Sequence, residues 1–132
     1  MKNALFLLFS LPVWLSAQNF SGNWGYEIDG NQINLYGDKI ENQNNGGRSG
    51  TLKIAIYATD YPYSGDYLNG YLLSEHQLEP LDAGYYYQDI SKVGWCTYPP
   101  EGSYSLTIIL LEYISYDYQI VDYITMNGYT RF

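Results

Sequence analysis

The chain is short of reactive side chains. It has one cysteine, one histidine and six basic residues among its 132. Each shortage excludes something. Cys96, being alone, cannot close an internal disulfide, and one thiol with one imidazole falls short of the three or four N, S or O ligands a zinc site needs. Any triad built on histidine must use His76, which lies in a strand-like run between Glu75 and Gln77. No Gly-x-Ser-x-Gly elbow frames a serine, since Gly47-Arg48-Ser49-Gly50 lacks the spacing. With fourteen acidic residues the net charge is −8. A surface of that sign repels phosphate backbones and anionic lipid heads, which argues against nucleic acid and against electrostatic membrane docking. An uninterrupted apolar run of the roughly 20 residues that cross a bilayer is also missing.

Tyrosine is what the chain has in excess, at seventeen residues. It favours pleated sheets and sticky surfaces, so the balance of composition describes a β domain with little catalytic equipment.

The first residues read as an export signal. Met1-Lys2-Asn3 is a short positive start, Ala4 to Leu15 is apolar apart from Ser10 and is interrupted by Pro12, and Ser16-Ala17 supplies small residues before Gln18. Leu15 is large for its place near the cleavage point. The reading is a cleaved signal over 1–17 and one domain over 18–132, secreted or periplasmic. Loss of Lys2 leaves five basic against fourteen acidic residues, a net −9. No cysteine ends the signal, which argues against a lipoprotein.

Past the signal the dominant period is two. Leu52, Ile54, Ile56 and Ala58 share one face of a strand, and Tyr104, Leu106, Ile108 and Leu110 one face of another. Ile109 and Leu111 make the second of these apolar on both faces at its far end. Tyr118, Ile120, Ile124 and Met126 share a parity that Asp122 interrupts. Trp24, Tyr26 and Ile28 mark a first strand, and Ile33 and Leu35 a second. Two more aromatic runs cover Tyr71 to Leu78 and Tyr85 to Ile90. Turn chemistry separates the runs at Asp29-Gly30-Asn31, Asn42 to Gly50, Tyr61 to Asp66, Pro99 to Gly102 and Ser115-Tyr116-Asp117. No segment carries a helical stripe. About seven short strands at this spacing predict an all-β antiparallel sandwich. Leu52, Ile54, Ile56, Leu106, Ile108, Leu110, Ile120 and Ile124 are the expected shared core.

Several pieces in order carry a resemblance. They are Ser49 to Thr59, Tyr61-Pro62-Tyr63-Ser64-Gly65, Leu78 to Gly84, and Pro99-Pro100-Glu101-Gly102-Ser103-Tyr104-Ser105-Leu106. The chain resembles the bacterial immunoglobulin-like, adhesion-related secreted modules of the CARDB-like class. That resemblance implies an immunoglobulin-like sandwich with a surface or structural binding role. It brings no catalytic residues.

The site residues singled out are Tyr61, Tyr63 and Tyr67, in or beside one loop stiffened by Pro62. Exposed planar rings stack on sugars and anchor protein partners. At least one of the three is expected to stand exposed at one end of the sandwich. Tyr85, Tyr86 and Tyr87 are consecutive, so alternation must turn at least one outward. His76 is expected on the strand surface and Cys96 as a small buried apolar group beside Trp95. Glu27, Asp29, Asp38 and Glu41 bracket the first hairpin with oxygens of the kind calcium takes, but without the EF-hand spacing. With so many acids, a glycosidase pair has no specific signal. Asn19-Phe20-Ser21 matches a glycosylation acceptor. The expected function is therefore non-enzymatic, with no cofactor and no metal. It is an exported interaction or structural module with a protein or glycan partner at a cell surface; the alternative is a small carbohydrate-binding protein using loop tyrosines.

Overall fold

The computed structural model describes residues 18–132, so the signal reading over 1–17 lies outside the described residues. Strand β1 spans Gln18–Asp29, β2 Gln32–Asn42, β3 Leu52–Thr59, β4 Gly70–Leu78, β5 Tyr86–Trp95, β6 Ser103–Ile114, β7 Asp117–Thr125 and the short β8 Thr130–Arg131. All pairings are antiparallel. One sheet runs β1-β2-β5, the other β4-β3-β6-β7, and β8 adds to the start of β6. This is the all-β immunoglobulin-like sandwich of seven main strands, with no helix among the described residues. Its fourth strand pairs with the third, whereas a constant immunoglobulin domain places it beside the fifth.

The alternation read from sequence supplies the core. Leu52, Ile54, Ile56 and Ala58 on β3 and Leu106, Ile108 and Leu110 on β6 are buried against Phe20, Ile33, Leu35 and Ile40 from the other sheet. Cys96 is buried in the same cluster, where burial pushes its thiol pKa up, so it fills space as an apolar group.

Ile120 departs from the expected core. The β6–β7 register shifts between Leu110, opposite Asp122, and Leu111, opposite Ile120. Cross-strand partners share a face, so Ile120 lies with the outward Leu111 while Val121 and Ile124 pack on the core. A β-bulge swaps the faces of a strand, and simple alternation does not foresee it.

The turns follow their chemistry. In the β1–β2 turn, Gly30 takes φ +62° as the first of two central residues, the place a II′ turn reserves for glycine. The β6–β7 hairpin closes through Ser115 (φ 53°) and Tyr116 (φ 71°). Two positive φ values are the signature of a I′ turn, here carried by residues with a Cβ.

Candidate binding surface

The 60–69 loop joins β3 to β4 and folds back over the outer face of β6 and β7. Its anchor is Tyr63. Thr125 Oγ1 donates to the Tyr63 carbonyl at 2.7 Å, and the Tyr63 ring stands edge-on to Tyr123 at 4.9 Å and 73°. Tyr63 Oη donates to the Asp66 carbonyl at 3.1 Å, closing the loop on itself. Thr59 Oγ1 donates to the Tyr61 carbonyl at 2.6 Å, holding the loop's entry. Gly65, at φ +101°, passes beside the Tyr123 ring. Burial first, then Tyr123 and Asp66, raises the Tyr63 phenol pKa.

The three tyrosines therefore divide. Tyr63 is only 8% exposed, packed against Tyr123, and offers far less surface than the other two while still lining the cleft described below. Tyr61 and Tyr67 are 80% and 86% exposed. A cleft of about 260 Å³ lies in the loop, lined by Asp60, Tyr61, Tyr63, Asp66, Tyr67 and Asn69.

Around this loop the same end of the sandwich carries rings that sequence reading did not group. Tyr71 meets Tyr104 at 5.8 Å, Tyr104 meets Phe132 at 6.1 Å, and Phe132 meets Tyr98 at 5.6 Å. Tyr98 Oη donates to the Gly30 carbonyl at 2.6 Å, so the row ends on the β1–β2 turn. These residues are up to 61 positions apart in the chain, from Tyr71 to Phe132. Only strand pairing brings them together. Alternation had marked Tyr104 as inward-facing, but nothing local joined it to the others.

The remaining candidates are dispersed. His76 lies on the inner face of β4, opposite Ile54, where its Nε2 and Ser74 Oγ are 3.2 Å apart. It faces the seam between the unpaired edges of β4 and β5 rather than open solvent, because Gly94 leaves room: a Cβ there would stand 2.9 Å from His76 Cε1. Burial chiefly, helped by Lys92 and opposed by Glu75, lowers the His76 pKa, which keeps the ring neutral. Asp38 accepts the Asn23 N–H at 2.7 Å, and Glu41 is held by Gln43 and Lys39. Among the described residues no group of three or more metal-ligating side chains gathers. Of the consecutive tyrosines, Tyr85 and Tyr86 face outward while Tyr87 packs on the core. Asn19 lies within β1, its Nδ2 donating to the Phe20 carbonyl.

No protein-family model and no curated protein sequence matches the chain. Among solved structures, β-glucosidase 3B from Thermotoga neapolitana in complex with glycerol aligns over 84% of this chain and 16% of that one. The identity is 14% and the TM-score 0.36.

Proposed function

We propose that this domain is a non-enzymatic exported binding module, acting at a cell surface or outside the cell and engaging a protein or glycan partner through Tyr61 and Tyr67. One observation carries the reading. The loop spends one tyrosine, Tyr63, as a buried anchor and holds the other two almost fully in solvent around a cleft. Exposed rings on a rigid loop lose little entropy on binding, which is what a recognition surface needs. The reading assigns the chain no catalytic step, and it fits the surface role that the CARDB-like resemblance implies.

The test uses the mature domain on a glycan array and on intact cells. Tyr61→Ala with Tyr67→Ala is expected to lose the binding seen with wild type at an unchanged melting temperature. Tyr63→Ala is expected to destabilise the fold by roughly 1.5–3 kcal/mol, the scale for a buried large side chain. Wild-type binding by the Tyr61/Tyr67 double variant would sink the proposal.

A further inference from the structure

We propose that the seam between β4 and β5 is a pH-sensitive opening: proton uptake by His76 parts the two sheets along this side of the sandwich while the core stays folded. The inference does not depend on Tyr61 and Tyr67 as binding residues.

The seam is lightly held. Each of β4 and β5 is the last strand of its sheet, and no ladder joins them. At one end the Thr97 N–H donates to the Leu73 carbonyl at 2.9 Å. At the other, Tyr87 Oη donates to the Glu79 carbonyl at 2.7 Å. Between these ties lie two clefts, one of about 290 Å³ beside His76 and Gly94 and one of about 400 Å³ beside Gln77 and Lys92, so water reaches the gap. Segments held by few hydrogen bonds open at far less cost than the whole fold.

The inner faces of the two edges set the chemistry of the gap. His76 pairs across the ladder with Ile54, and Lys92 with Leu35. Both partners are fully buried, and cross-strand partners share a face, so His76 and Lys92 approach the gap from its two sides. Gly94 admits the imidazole, since a Cβ there would stand 2.9 Å from His76 Cε1. The charged groups around the ring do not offset a proton. Glu75 lies on the outer face opposite Ala55 and pairs with Lys53 at 3.3 Å, and β3 presents the apolar Ile54. Glu79 and Asp89 line the second cleft with Lys92, but among the described residues neither forms an ion pair with it.

A proton on His76 therefore puts a second cation into a half-buried gap that already holds Lys92. Burial first and Lys92 second oppose that charge, and only Glu75 favours it. When the edges part, the ring enters water and takes up its proton at the ordinary histidine value of about 6.5. The closed seam is thus fully favoured above that value, and the open seam gains as pH falls below it. Opening leaves the main core in place, because Ile54, Ile56, Ile108 and Leu110 are joined by the β3–β6 ladder. It presents two unpaired strand edges, the surface through which a β protein pairs with another chain.

The experiment is amide hydrogen exchange of the mature domain by NMR at neutral and mildly acidic pH, with the His76 ring titrated in the same samples. Exchange is expressed as protection relative to the intrinsic rate at each pH. The Thr97 amide is expected to lose protection severalfold as His76 takes up its proton, while the amides of the β3–β6 ladder keep theirs. His76→Gln cannot take the proton and is expected to hold Thr97 equally protected at both pH values. Lys92→Met removes the repelling cation and is expected to shrink the loss without changing protection at neutral pH. Thr97 protection that survives protonation of His76 overturns the inference. So does a loss shared with the β3–β6 amides, which is unfolding of the whole domain, and so does a loss undiminished in either variant.

Discussion

The Asp122 carboxylate on β7 accepts the Phe20 N–H of β1 at 2.8 Å through Oδ2, joining the free edges of the two sheets. Its Oδ1 accepts the Tyr123 N–H at 2.8 Å, so both oxygens are engaged. Asp122 had stood out as the residue that spoils the alternation of its strand. It spoils the pattern because it ties one sheet to the other beside a bulge.

Removing that tie should therefore be costly. Asp122→Ala is expected to lower stability by about 1.5–3 kcal/mol, the range for a hydrogen bond to a charged group, with Asp122→Asn losing less. Urea unfolding measures this. A change near zero for Asp122→Ala would mean the edges are held together by packing alone.

The bulge makes a paired prediction. Ile108 is fully buried, and Ile108→Ala should cost roughly 2–5 kcal/mol. Ile120→Ala, on the outer face, should cost clearly less. Equal losses in denaturant titrations would put Ile120 back in the core and remove the register shift.

His76 predicts a pH dependence. Its pKa in the fold is lowered, by burial first and by Lys92 second. The unfolded chain therefore takes up a proton before the native one does. The stability that neutral His76 contributes is complete above the ordinary histidine value of about 6.5, and is lost as pH falls through the lowered folded value. Melting temperatures of wild type and His76→Gln should diverge in their slopes between neutral and mildly acidic pH, with the variant the flatter. Parallel slopes would show that the seam admits the charged ring at no penalty.

The last hairpin should be improvable. Ser115 and Tyr116 hold φ values of 53° and 71°, where a Cβ is disfavoured, and Tyr116 is 93% exposed. Replacing the pair with Asn-Gly suits a I′ turn and should raise stability by about 1 kcal/mol. Thermal unfolding reads this directly; a loss would mean the turn is held by contacts of the Tyr116 side chain.

Local alternation along the chain was enough to determine the β class, the single core and its main residues. In Leu52–Ile56 and Leu106–Leu110, side chains two apart must share a face, and an apolar face must be covered. Turn positions were legible for the same local reason, from glycine, asparagine and proline. Three things were decided only by the tertiary structure. Bulge placement, which moved Ile120 outward and brought Asp122 to the sheet junction, depends on the pairing register between strands. The split between anchor and exposed tyrosines depends on Tyr123 and Thr125, which meet Tyr63 from about sixty residues away. The ring row from Tyr71 to Tyr98 exists because β4, β6, β8 and the β1–β2 turn converge at one end. Each is a contact between residues distant in sequence, and a period of two carries no information about which strand lies beside which.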